Sequence, residues 1–165
     1  MPKGPAARFS DLTAHLATPL APGPGSENVF IGYLPAWRGI PLAAVAALQS
    51  AKASSDATVQ AAEAATLAAA GTPGAPAAYT AEQTAKTTAA AAMSSTISGA
   101  AGMADKHMCP MPSPVPPHGL GVVIDGSATV MINKLPACRL GDTILEALGP
   151  PNKIVKGEPT VHIGG

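Results

Sequence analysis

The sequence predicts a mainly β fold: a small pseudo-threefold β cone of short hairpins with an Ala-rich helical hairpin inserted into it. Three observations predict this. Gly-led segments of one strand pattern recur near both ends of the chain, Gly and Pro are abundant while aromatic residues are scarce, and residues 41–103 are dominated by Ala. Strand-like ends and a helical middle divide the 165 residues into a β unit at 1–40 and 104–165 and an inserted hairpin at 41–103.

Residues 1–40 are rich in Pro and Gly and contain the short apolar run Val29-Phe30-Ile31. The segment Gly25-Ser26-Glu27-Asn28-Val29-Phe30-Ile31-Gly32 returns as Gly126-Ser127-Ala128-Thr129-Val130-Met131-Ile132-Asn133. It returns again as Gly157-Glu158-Pro159-Thr160-Val161-His162-Ile163-Gly164. Val and Ile two apart share one face of a strand, and the flanking Gly and Asn suit a tight turn. Each unit is too small to fold alone, but three arranged about an axis can bury a thin common core.

Residues 41–103 read as two helical arms. The first opens on Pro41 and runs to about Ala70, with an interruption expected at Ser54-Ser55-Asp56. Gly71-Thr72-Pro73-Gly74-Ala75-Pro76 breaks the helix. The second arm is expected to start at Thr80, where Thr80 and Gln83 match a capping box, and to end near Gly99 and Gly102. Leu42, Val45, Leu48, Val59, Leu67, Met93 and Ile97 are its larger apolar anchors.

Composition limits what the chain can do. Aromatic residues are 3% and charged residues 12% of the total, against 17 Gly and 18 Pro. So little large apolar surface cannot fill a conventional core, and small folds in that position use disulfides, metals or a partner's surface. With only Cys109 and Cys138 present, a disulfide framework is a poor expectation and thiolate–metal bonding a better one. Net charge is zero with no basic run, which gives nucleic-acid binding no electrostatic support. No basic-then-apolar leader and no apolar run of membrane-spanning length is present, so synthesis and folding in the cytoplasm are expected.

A second signature follows two of the repeats: Leu34-Pro35-Ala36-Trp37-Arg38 and Leu135-Pro136-Ala137-Cys138-Arg139. Pro5-Ala6-Ala7-Arg8 stands near the start of the chain. On these residues the sequence resembles the PAAR-repeat family, named for Pro-Ala-Ala-Arg. Trp37 and Cys138 replace the third motif residue in two copies, and the last repeat reaches Gly165 before any motif. The resemblance implies a conical β structure that caps the trimeric spike (VgrG-like) of a type VI secretion system or related contractile injection machine. It implies one tip per spike trimer, a zinc ion (Zn2+) near the point, a structural rather than enzymatic role, and outward delivery on contraction. A target membrane would be pierced, not bound. With no toxin-sized extension, a tip without a fused effector is expected, and the helical insertion, atypical of minimal members, is open to a role in docking cargo.

The residues able to ligate a metal are His15, His107, Cys109, His118, Cys138 and His162. His107 and Cys109 are two apart, and Cys109 and His118 bracket a stiff loop containing Pro110, Pro112, Pro114, Pro116 and Pro117. His15 holds in the first unit roughly the place that 107–118 hold in the second. The expected set is therefore His15, His107, Cys109 and His118, agreeing with the three-His, one-Cys type of site the family carries. Four N/S ligands describe a closed structural site, whereas a zinc hydrolase keeps one position for water. Cys138 is read as a buried thiol and His162 as a strand residue facing solvent or a partner, with participation of either in the site left open. Arg8, Arg38 and Arg139 are either braces to carbonyls or exposed, and Trp37 is either core or a spike-facing anchor.

Overall fold

A computed structural model describes residues 3–112 and 116–164; Pro114 of the proline loop lies outside them. In chain order the elements are β1 (Gly4–Ala6), β2 (Phe30–Ile31), β3 (Leu34–Pro35), α1 (Leu42–Ala68), α2 (Ala75–Ala101), β4 (Lys106–Pro112) and β5 (Pro117–Val123). They continue with β6 (Met131–Ile132), β7 (Leu135–Pro136), β8 (Thr143–Glu146), β9 (Asn152–Lys153) and β10 (Glu158–Ile163). The fold is thus β-rich with a helical hairpin, its strands gathered into small antiparallel sheets: β1-β10, β2-β3, β6-β7 and β4-β5-β8-β9.

Two of the repeats build equivalent hairpins, and the third makes the matching strand pair with a distant partner. In β2–β3 Phe30 pairs with Pro35, and in β6–β7 Met131 pairs with Pro136. Their two-residue turns, Gly32-Tyr33 and Asn133-Lys134, have positive φ throughout, the conformation that matches strand twist. The Ser26 amide donates to the Ala36 carbonyl and the Ser127 amide to the Ala137 carbonyl, each at 2.8 Å. The third repeat lacks its own second strand, and β1 supplies it: His162 pairs with Pro5 and Ile163 with Gly4. The motif missing after β10 is therefore Pro5–Arg8 at the other end of the chain.

Those motifs close into a ring. The Trp37 amide donates to the Ala7 carbonyl, Cys138 to Trp37 and Ala7 to Cys138, at 2.9, 3.0 and 2.9 Å. A second cycle runs alongside: Phe9 to Pro35, Gly39 to Pro136 and Leu140 to Pro5. On one side Ile31, Ile132 and Ile163, one from each repeat, bury with Ala6, Ala36 and Ala137. On the other, Ala7, Trp37 and Cys138 pack with Leu20, Val123, Ile144 and Ile154. Trp37 is fully buried and so belongs to the core. Its large ring fills space that two smaller residues leave at the equivalent positions. Cys138 is a buried free thiol, its pKa pushed well up chiefly by burial.

Each motif Arg is buried and grips an Asp with amide and guanidinium together: Arg8 with Asp11, Arg139 with Asp142, and Arg38 with Asp105. The Asp amide returns a bond to the Arg carbonyl in all three, at 3.1–3.2 Å. The guanidiniums also brace carbonyls, Arg38 that of Gly25 and Arg139 that of Asp125. In two units the Asp follows three residues after its Arg; in the other, α1 and α2 intervene between Ile40 and Asp105.

The helices differ in detail from expectation. α1 runs unbroken through Ser54-Ser55-Asp56, where Lys52 binds Asp56 one turn on and Thr58 Oγ1 bonds the Ser54 carbonyl. α2 begins at Ala75 rather than at a Thr80 cap. Pro76 suits the first turn, and the Thr80 hydroxyl donates back to the Pro76 carbonyl instead of capping. Leu48, Met93, Ile97 and Ala101 bury against Ile40, Val122, Leu135, Leu145 and Ala147 of the β unit, with Val45 at the margin. Leu42 and Leu67 are exposed and anchor nothing, Leu67 lying at the end of α1 far from the β unit. Farther out, Lys86 bridges Glu63 and Glu82, tying the arms together. Among the described residues no helix is long and apolar enough to cross a membrane.

Candidate metal centre

Beyond the Arg–Asp turn each unit sends out a strand or loop that doubles back. The returning residues Leu20, Val123 and Ile154 accept from the second residue after each Arg: Ser10, Ile40 and Gly141. Four residues beyond the three Asp stand His15, Cys109 and Glu146. The same register thus delivers one potential donor per repeat to a common place. His118, on β5 between β4 and β8, adds a fourth.

The donor atoms of His15, Cys109, His118 and Glu146 all lie within 4.8 Å of one another. Glu146 Oε2 is 2.7 Å from His118 Nδ1 and 2.9 Å from His15 Nδ1, and Cys109 Sγ is 3.8 Å from His15 Nδ1. The two imidazoles meet edge to face with centroids 5.0 Å apart. A second layer fixes the donors. Asn152 Nδ2 donates to Glu146 Oε1 at 2.7 Å while its Oδ1 accepts from the His15 amide at 3.0 Å. Gly121, paired with both His107 and Glu146, has no room for a side chain: a Cβ there would lie 3.0 Å from Glu146 Cγ.

Of the residues singled out in the sequence, His15, Cys109 and His118 converge. His107 stands beside them, its Nε2 4.0 Å from Glu146 Oε1, but falls outside the four-donor cluster. It lies two residues after Asp105, in register with Thr13 and Ile144, which are core positions. Burial lowers its pKa against the pull of Glu146. His162 is exposed on β10, and Cys138 stays in the ring core. Sequence reasoning missed Glu146. The available signal was the Arg-x-x-Asp spacing, which puts Glu146 where His15 stands in the first unit.

The donor set fits a small divalent ion. Bonds of about 2.0–2.3 Å in a tetrahedron require donor separations of about 3.3–3.7 Å, which the observed edges bracket. A thiolate and a carboxylate would neutralise a 2+ charge in a buried place, where net charge is costly. Burial, the largest influence, pushes the Cys109 thiol up to about 12, and the Glu146 carboxylate adds to it. The metal-free site therefore holds a proton that a metal must displace.

A family model described as PAAR motif matches residues 115–165. No curated protein and no solved structure matches the chain.

Proposed function

From the match of residues 115–165 to the PAAR motif, we propose that the chain is a PAAR-repeat protein and the structural tip of a contractile injection machine. In this reading it caps a trimeric spike and pierces an envelope. Residues 1–40 and 104–165 form the tip and 41–103 an insertion in it. The observation that carries the reading is the ring of Ala7, Trp37 and Cys138, through which one chain offers three near-equivalent edges. A threefold partner can engage all three at once, giving one tip per spike trimer. The face for it holds the repeat hairpins, where Phe30, Met131 and His162 occupy equivalent exposed positions. Phe30 and Met131 precede the motif of their own unit, His162 lies on the strand that Pro5–Arg8 completes, and the metal donors follow the motifs, which supports a base at one side and a stapled point at the other.

The metal in this reading is zinc, held by His15, Cys109 and His118 with Glu146 as fourth donor and His107 adjacent. It supplies cross-linking where the chain is too thin for a core, because its binding free energy becomes folding free energy. The protein's residues orient the donors: Asn152 holds Glu146 and the His15 backbone, and Gly121 admits the carboxylate. Four protein donors favour a closed structural site over a hydrolytic one.

The test is co-purification with a trimeric spike followed by native mass spectrometry. One chain per three spike chains is expected, with capping lost in a Phe30→Asp, Met131→Asp double variant that keeps its circular dichroism. Any other stoichiometry sinks the reading.

A further inference from the structure

We propose that the inserted helices act on the metal centre through one intermediary: Lys52 of α1 pins the Gly149 carbonyl, and Gly149 holds the His118 ring in position. This rests on the metal reading above. Lys52 is 8% exposed, and its Nζ donates to the Gly149 carbonyl at 3.0 Å, 97 residues away, and to Asp56 on its own helix. Gly149 has φ +74°, and a methyl group there would overlap the His118 imidazole, so its bare Cα lies against the ring. The neighbouring Leu148 amide donates to the His118 carbonyl at 2.9 Å. His118 is thus gripped through its backbone by Leu148, across its ring by Gly149, and at Nδ1 by Glu146.

Leu48, one turn earlier on the same side of α1, is core, and an apolar residue at 52 would continue that stripe without the cost of desolvating an ammonium. A lysine there supplies what an apolar residue cannot, a donor to a carbonyl of the loop over His118. Lys86, the other buried lysine of the insertion, has its carboxylate partners Glu63 and Glu82 on the helices themselves. The two lysines divide the work: Lys86 closes the hairpin on itself, and Lys52 couples it to the donors. Outer groups that orient metal ligands typically change affinity tenfold or more. Lys52 is a positioning residue on this view, and the insertion is a part of the metal site.

The experiment loads the full-length chain with one equivalent of zinc and follows its release into an excess of chromogenic chelator. Lys52→Met is expected to release zinc about tenfold faster with unchanged stoichiometry, and Lys52→Arg to restore the slow rate. Glu63→Gln, which loosens only the distal clasp, should release at the wild-type rate. Helicity by far-UV circular dichroism is measured on each. Wild-type release from a helical Lys52→Met protein overturns the inference. Should that variant not fold, Lys52→Ala, which favours the helix and leaves no donor, decides: accelerated release supports the coupling, and wild-type release overturns it. A wild-type chain that takes up no zinc overturns the metal reading itself, a result distinct from equal release rates.

Discussion

Asp105 closes the turn begun by Arg38, 67 residues earlier, with the same amide and guanidinium bonds that Asp11 gives Arg8 and Asp142 gives Arg139. The helical hairpin therefore leaves and re-enters the repeat inside a single turn. Its two ends are fixed by a side-chain pair that the other repeats make locally. The pair is buried, with 6% and 0% side-chain exposure, and the Asp105 carboxylate raises the pKa of the Arg38 guanidinium.

Removing one charge from that pair leaves the other buried and alone. Asp105→Asn should cost about 3–5 kcal/mol by urea denaturation. It should cost more than Asp11→Asn, because only at Asp105 must the pair also hold the two ends of an insertion together. Equal losses in the two variants would show that the insertion's ends are held by packing instead.

Apolar packing adds to those polar attachments of the helical hairpin. Ile97 is fully buried against the β unit, and Ile97→Ala should cost about 2–5 kcal/mol. Leu67, 77% exposed near the far end, should tolerate Ala within about 0.5 kcal/mol. Thermal and urea unfolding of the two variants checks the contrast.

Much of this architecture is legible in the residues. The Val-x-Ile repeats and their turn residues specify two hairpins and a third strand because side-chain alternation and positive-φ turns are local properties, visible at Gly32 and Asn133. Two helices follow from Ala content and a Gly/Pro breaker. What escaped was set by tertiary contact. Nothing local says that Pro5–Arg8 completes β10, that α1 continues through Ser54-Ser55, or that Leu67 would find no surface to meet. Among the candidate donors, His15, Cys109 and His118 stand out in the sequence because His and Cys are rare in it. Glu146 does not, since a carboxylate attracts notice only once its register with His15 is seen. His107 adjoins the cluster from a position two residues after Asp105, in register with the buried Thr13 and Ile144.

The choice between Glu146 and His107 as fourth donor is open to direct measurement. Glu146→Gln keeps the shape but removes the charge that completes neutralisation of a divalent ion. It should weaken zinc by at least about a hundredfold in competition with a chromogenic chelator, while His107→Ala should retain tight binding. The reverse order would assign the fourth place to His107.

Zinc binding should also depend on pH through Cys109. In the metal-free protein burial raises the thiol to about 12, so the folded state prefers the protonated form. That preference stabilises the metal-free fold below the thiol's unfolded value, near 8.5 or so, and is lost as pH climbs toward about 12. Binding has the opposite sign, because the ion takes the thiolate and expels the proton. Across the neutral range each unit of rising pH should therefore tighten apparent affinity about tenfold for this proton. Falling pH should release the metal and, with it, the stability the metal confers. In Cys109→Ser, whose hydroxyl does not ionise in that range, residual binding should lose this dependence. Competition titrations at three pH values on both proteins provide the check. A wild-type affinity that is flat with pH would mean that Cys109 does not give up a proton on binding.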